Sequence, residues 1–312
     1  MSKLAQQLIE ESLRTQHPVL DLGKCGLDGT EPILEHLGAC DHLEALNFSD
    51  IHLVWNKKTQ ALETQNSTNK GEENTLVQLP SKLPLHLKAL FVSGNYDNKW
   101  KINDLKPLQS LHQLSILTIS YNQINDLSPL QNLNQSRILI LSDNQINDLK
   151  PIQNLHQLNI LTLNNNQIND FKPLQNLDQL NVLALDNNQI NDLKPFQNLN
   201  QLTRLDLSDN QINDLKPLQN LNQLTKLYLR KNQINDLKPL QNLHKLTELA
   251  LSNNQITHFS LNLLNAWTEL DSWGFTLRNN PIQNIPPEII EGGSGAIRNY
   301  LKSTENQAEQ YQ

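Results

Sequence analysis

A 22-residue unit recurs almost unchanged between residues 108 and 259, and no other feature limits the fold of this chain so tightly. From Leu111 it reads LHQLSILTISYNQINDLSPLQN, from Leu199 LNQLTRLDLSDNQINDLKPLQN, and from Leu221 LNQLTKLYLRKNQINDLKPLQN. One asparagine returns at positions 122, 144, 166, 188, 210, 232 and 254, always 22 apart. A fixed period of this length marks a stack of coils in which each coil contacts its neighbours.

Inside one unit, Leu114, Leu117, Ile119, Ile124, Leu127 and Leu130 are apolar and most residues between them are polar. Leu117-Thr118-Ile119 alternates with period two, which predicts a strand with one buried face. After Asn122 the alternation breaks and the chain turns back. Asp126-Leu127-Ser128-Pro129 closes the turn, and proline suits the first position of a short helix because it has no N–H to lose. The LQNL that follows is too short for more than a 3₁₀ or single-turn piece. Each apolar side chain offers roughly 1.5–3 kcal/mol on full burial. Ordering each residue costs roughly 1.5 kcal/mol. One coil therefore gains little until neighbours cover both open faces, and stacking sets the strands about 4.8 Å apart in a parallel sheet.

The unit matches LxxLxLxxNxI, and in this the chain resembles the leucine-rich repeat family. The resemblance implies an α/β solenoid, or horseshoe. Its parallel sheet lines the concave face, short 3₁₀ or helical pieces line the convex face, and helical caps close both ends. It also implies a continuous asparagine ladder. An inward-turning coil leaves backbone N–H and C=O groups in the core, which is costly unless they are paired. An Asn amide can serve both kinds of group. The ladder positions are Cys25, Asn95, Asn122, Asn144, Asn166, Asn188, Asn210, Asn232, Asn254 and Asn280. Cys25 stands there as a small buried hydrophobe.

The expected organisation is a helical cap over 1–17, a solenoid of about eleven coils over 18–280, a closing cap over 281–303 and a flexible tail over 304–312. The cap helix spans 3–15, with Leu4, Leu8, Ile9 and Leu13 on one face. Residues 18–107 are irregular. Leu46-Asn47-Phe48 with Ile51 and Leu53 reads as a degenerate coil in which Ile51 interrupts the ladder. The polar stretch 56–75 reads as a mobile surface insertion, and Tyr96 to Trp100 as a second, five-residue one. A column of aspartates from Asp104 to Asp236 beside lysines reads as a solvated outer face. Ser136 takes the place held by Leu114 and Leu158 in neighbouring coils, which predicts an underpacked coil.

The charge of −7 and pI near 5.7 give no basic footprint for nucleic acid. No run of 18 apolar residues predicts a membrane span. The N-terminal MSKLAQQLIEESLRTQ lacks the apolar core of a secretory signal, and Cys25 and Cys40 read as free thiols in a reducing cytosol. The expected location is cytoplasmic. No nucleophile elbow, HExxH or CxxC is present. His112, His156 and His244 lie in non-adjacent coils, so no metal pair is expected. The chain is read as a non-enzyme without a cofactor.

The closing NPIQNIPPEII, then Gly, then AIRNYL, looks like the segment that ends the leucine-rich domain of bacterial Roco proteins. There it leads into a Roc GTPase and a COR domain, which makes a Roc–COR module a candidate partner. No GxxxxGK[ST] phosphate loop is present, so nucleotide hydrolysis does not carry over. The repeats, in their N-x-I-x-D-x-x-P-L form, also resemble those of internalins, which are surface adhesins.

With catalysis set aside, the expected activity is binding of a protein or peptide on the concave face. The variable strand positions there are Phe91, Ile116, Ile138, Ile140, Ile160 and Val182, followed by Arg204, Asp206, Asp209, Lys226, Tyr228, Arg230, Lys231 and Glu248. The first set forms an apolar half of the size that marks interaction sites. The second is charged with one aromatic, and Tyr and Arg are favoured anchor types.

Overall fold

A computed structural model of the chain describes residues 2–56, 61–271 and 273–310. The chain divides into two compact units, Met1–Gln167 and Ile168–Gln312.

The first unit opens with helix α1 (Lys3–Thr15), capped by Ser2, whose hydroxyl accepts from Ala5 N–H at 3.2 Å. Its buried face is Ala5, Ile9 and Ser12, while Leu4, Leu8 and Leu13 are half-buried. The apolar stripe of the sequence thus packs along its centre and leaves its flanks partly open. Strands β1 (Val19–Asp21) and β2 (Ala45–Asn47) follow, then an antiparallel pair, β3 (Ile51–Asn56) and β4 (Ala61–Asn66). Strands β5 (Ala89–Phe91), β6 (Ile116–Thr118), β7 (Ile138–Ile140) and β8 (Ile160–Thr162) continue the main sheet. Its order is β1-β2-β5-β6-β7-β8, all parallel and in register, so that Ile116 faces Ile138 and Ile138 faces Ile160.

The second unit holds the parallel strands β9 (Val182–Ala184), β10 (Arg204–Asp206), β11 (Lys226–Tyr228) and β12 (Glu248–Ala250). Helix α2 (Leu261–Ala266), strand β13 (Phe275–Thr276), helix α3 (Pro287–Glu291) and helix α4 (Gly293–Gln310) complete it. Among the described residues, eleven parallel strands, six in one unit and five in the other, match the expected number of coils. Helix α4 carries the expected Ile297 and Leu301 inward and leaves Tyr300 half-buried. It runs on to Gln310, so residues 304–310, expected as a frayed tail, continue its turns.

Each regular coil is built alike. In the coil of Asn210, Leu199, Leu202, Leu205, Leu207, Ile212, Leu215 and Leu218 are all at most 1% exposed. The residue before each regular ladder asparagine, such as Tyr121, Asp143 or Lys231, has φ between 51° and 60°. That left-handed step turns the chain away from the strand. Each outer turn is a 3₁₀ piece with proline in its first turn, as in Lys106–Leu108 and Lys216–Leu218.

The aspartate column has a use that the charge reading missed. Asp104, Asp148, Asp170, Asp192, Asp214 and Asp236 each accept, through Oδ1, the backbone N–H of the lysine two residues on, at 2.8–2.9 Å. Asp126 does the same for Ser128. These are side-chain turn locks, and no Asp–Lys ion pair joins the column among the described residues. Hydrogen bonds from the Ser128 hydroxyl and N–H hold the Asp126 carboxyl below the usual carboxylate range.

The irregular coils depart from the expected alignment. Asn74, fully buried, takes the ladder position of the second coil. Its Oδ1 accepts from Cys25 and Leu27 N–H at 3.1 and 2.8 Å, and its Nδ2 donates to Leu22 and Phe48 carbonyls at 2.8 and 2.7 Å. The ladder is therefore not interrupted at Ile51. The coil pauses after Phe48, sends out the β3–β4 hairpin and resumes at Asn74-Thr75-Leu76. The 56–75 stretch, expected to be mobile, is mostly structured. Ser67 Oγ donates to Asp21 Oδ2 at 2.8 Å, and Asn69 Nδ2 donates to the Asp21 and Gly23 carbonyls at 2.9 and 2.8 Å. A Cβ on Gly71 would meet the Lys24 carbonyl at 2.2 Å, so only glycine fits that approach. Residues 57–60 lie outside the described residues.

Asn95 is also not a ladder residue. Its Oδ1 accepts from Asp97 and Asn98 N–H at 3.0 and 2.8 Å and closes its own turn. The ladder position of that coil belongs to Trp100, buried, whose Nε1 donates to the Asn74 carbonyl at 2.8 Å. Lys101 N–H then meets Leu76 as Gln123 N–H meets Ile102, the regular coil-to-coil spacing. Cys25 is a core residue as expected, and among the described residues its thiol reaches the Gly23 carbonyl and Asn69. Burial, with Asp21 and Asp50 nearby, pushes that thiol up to about 12.

Candidate functional site

In the first unit the variable strand positions are less open than the sequence suggested. Phe91, Ile116 and Ile138 are half-buried, but Ile140 and Ile160 are 3% and 1% exposed. Neighbouring β-branched side chains one strand spacing apart shield one another. Ile140 and Ile160 thus cannot meet a partner as they stand, and the contiguous apolar patch is not there. Good strand formers in a sheet account for these residues.

The second unit brings the charged set together. Its in-register pairing aligns Arg204 with Lys226 and Lys226 with Glu248, and likewise Asp206 with Tyr228. The Arg204 guanidinium carbon stands 5.2 Å from the centre of the Tyr228 ring, in cation–π range. The Tyr228 hydroxyl donates to Glu248 Oε2, and Lys226 Nζ lies 2.6 Å from Glu248 Oε1. Tyr228, Lys226 and Glu248 are half-buried, while Arg204 is exposed. Burial first, and then the bond to Glu248, push the Tyr228 hydroxyl up to about 12, against the pull of Arg204. Burial also opposes the charge on Glu248, but hydrogen bonds from Lys226 and Tyr228 outweigh it and hold that carboxyl below its ordinary range. Tyr228 therefore remains a neutral donor and Glu248 an anion throughout the physiological range.

Beside this cluster Lys231 Nζ pairs with Asp209 Oδ1 at 3.0 Å, with both groups exposed. Asp206 Oδ1 accepts from Ser208 N–H at 3.1 Å and fixes its own turn. Arg230 is exposed and Val182 half-buried. The cluster was visible in the sequence as a list of residue types. The strand register that joins Arg204, Tyr228, Lys226 and Glu248 into one network was not.

Beneath the strands of each unit the regular ladder positions are filled. Oδ1 of Asn122, Asn144, Asn166, Asn188, Asn210, Asn232, Asn254 and Asn280 each accepts an N–H from the preceding coil at 3.0–3.3 Å. These side chains are committed to backbone groups and are not available for chemistry. Among the described residues, no group of three or more His, Cys, Asp or Glu is placed to hold a metal ion. No helix among them is long and apolar enough to cross a membrane.

Leucine-rich repeat family models match residues 178–234 and, as two copies, 222–272. Among curated proteins none matches the chain. Solved structures do. An internalin of Listeria monocytogenes aligns at TM-score 0.67 and 25% identity over 90% of this chain and 83% of its own. Internalin C2 of Listeria monocytogenes aligns at TM-score 0.51 and 37% identity over 54% of this chain and 72% of its own. A leucine-rich repeat protein of Leptospira interrogans aligns at TM-score 0.61 and 23% identity over 93% of this chain and 84% of its own, which concerns fold alone. These likenesses bear on the repeats and lend no support to the Roco resemblance of residues 281–303. Stacked coils, a filled asparagine ladder, the matching repeat models and the 37% identity agree: the chain belongs to the leucine-rich repeat proteins.

Proposed function

We propose that this protein binds a protein partner through the strand face of its second unit, with Tyr228 as the central anchor. Leucine-rich repeat domains are generally protein-interaction modules. The observation that carries the reading is the network of Arg204, Tyr228, Lys226 and Glu248 on three adjacent strands. Its side chains are held in place before any partner arrives, so docking costs little additional ordering. Tyr and Arg at a partly desolvated centre are the residue types that carry most binding energy in known interfaces.

Affinity capture from source lysate tests this. Tyr228→Ala with Arg204→Ala should abolish recovery of the captured protein, while Lys216→Ala with Lys238→Ala on the outer turns should not. Loss in the outer pair with full capture in the inner pair would move binding to the other face.

The cytoplasmic reading belongs with this proposal. An internalin-like surface adhesin is the second reading, and it is favoured by the 37% identity to internalin C2. Cell fractionation separates the two. The Roc–COR module has only the resemblance of the closing segment behind it, and pull-down with a separately made Roc–COR fragment tests it.

A further inference from the structure

Next to that surface, the last strands and helix α3 of the second unit enclose a groove of about 490 Å³. Arg230, Phe275, Arg278, Ile290 and Trp273 are among the residues that line it. Trp273 is 92% exposed. Asp271 N–H bonds the Thr247 carbonyl at 3.0 Å, Gly274 N–H bonds the Asp271 carbonyl at 3.1 Å, and Leu249 N–H bonds the Gly274 carbonyl at 2.7 Å. A Cβ at Gly274 would meet the Thr247 carbonyl at 2.5 Å, so the backbone is pressed onto the neighbouring coil. The backbone on both sides of Trp273 is thus tied to the neighbouring coil.

Six positions earlier the chain treats the same residue type in the opposite way. Trp267 is fully buried, its ring 6.3 and 6.4 Å from those of Phe259 and Phe275, and its Nε1 donates to the Leu240 carbonyl at 3.0 Å. The core at this end is complete without Trp273. A large aromatic surface left in water beside a groove is open to a partner's apolar side chain.

The charges at the groove favour one kind of occupant. Arg278 pairs with Glu291 at 2.7 Å, whereas Arg230 is exposed and meets no carboxylate among the described residues. The groove thus carries a surplus positive charge on a chain whose net charge is −7. A polyanion such as nucleic acid, or an anionic membrane, would be repelled by the whole and would find only one uncommitted cation. A single carboxylate fits, since a guanidinium receives it through two parallel hydrogen bonds.

We propose that this groove receives an extended acidic segment of a partner protein, with a Glu or Asp side chain on Arg230 and a neighbouring aromatic or large aliphatic side chain against Trp273. This site does not depend on the Tyr228 cluster, and the two can fail separately.

The test uses the full chain and a displayed library of random 12-residue peptides. Enriched sequences should place an acidic residue within three positions of a large apolar one. Synthetic, fluorescein-labelled winners should bind in an anisotropy titration. Trp273→Ala should weaken them about 30-fold, as expected for loss of a central aromatic anchor. Arg230→Glu should weaken acidic winners by at least as much, and raised salt should weaken them further. Tyr228→Ala should leave their affinity unchanged, and circular dichroism should show all three variants folded. Enrichment without an acidic–apolar pattern, or winners that bind the Trp273→Ala chain equally well, overturns the proposal. Self-association that disappears with Trp273→Ala in sedimentation experiments also overturns it, because the occupant is then a second copy of this chain.

Discussion

Replacing Asn232 by leucine isolates the ladder from everything else in the coil. Leucine has the same side-chain branching and heavy-atom count, so no cavity opens; its bulkier methyl groups add some crowding to the loss of hydrogen bonding. Asn232 Oδ1 accepts from Ile212 N–H at 3.0 Å, and Nδ2 reaches the carbonyls of Leu207 at 3.0 Å and of Leu229 and Arg230 at 3.2 Å. The residue is 8% exposed, so water does not replace these bonds without opening the coil. Leaving Ile212 N–H buried and unpaired costs about 1–3 kcal/mol, and stranding the Leu207 carbonyl costs a similar amount. The expected loss is therefore about 2–6 kcal/mol. Asn232→Asp separates the two halves of the role, because a carboxylate keeps the acceptor and loses both donors. Facing carbonyl oxygens, that carboxyl should have a raised pKa in the folded state, so the loss of stability relative to the unaltered chain should be smaller at pH 4 than at pH 7. Urea unfolding gives the midpoint. Since a stack of coils need not unfold in one step, hydrogen exchange at the Ile212 amide gives the local reading. An unchanged midpoint together with an unchanged Ile212 exchange rate would refute the account of the ladder.

Three other perturbations test separate parts of the structure. Ser136 is 1% exposed, its hydroxyl has no hydrogen-bond partner, and its N–H keeps the regular bond to Leu133; Ser136→Leu should be neutral or stabilising by up to about 2 kcal/mol, and strong destabilisation in urea would mean the coil has closed over the space. Lys231 sits at φ 51°, so Lys231→Val should cost about 1–2 kcal/mol while Lys231→Asn stabilises slightly, with equal midpoints counting against backbone strain. The Cys25 thiol, buried and pushed up to about 12, should react with a maleimide at pH 8 orders of magnitude more slowly in the folded chain than in urea, since the thiolate is the nucleophile; equal rates would show the first coil to be open.

The regular coils were readable residue by residue, because Leu, Asn and Pro at fixed spacing each have one physical use. Strands fall on the expected positions in every regular repeat, and Asn280 closes the series as expected. Reading failed where the spacing changed. Asn74-Thr75-Leu76 has the ladder pattern, but it stands inside a polar stretch after a hairpin, where a constant period does not lead the eye. Trp100 could not be anticipated, since an indole supplies one donor and no acceptor and merely happens to reach the Asn74 carbonyl. The site had a different limit. Side-chain types on the strands were known, but whether Ile140 and Ile160 were open depended on how closely their neighbours stacked.

The two irregular coils share one geometry. In each, extra chain leaves between the end of the strand and the ladder position, at Ser49–Glu73 and at Ser93–Lys99, and the coil then closes as if nothing had been added. Lengthening a loop there adds only about 0.6 kcal/mol of closure entropy for each doubling. That junction is a permissive port. Every regular coil has the same port, after Ser120, Ser142, Asn164, Asp186, Ser208, Arg230 and Ser252, so each unit can be fitted with new loops there while its core and ladder stay untouched.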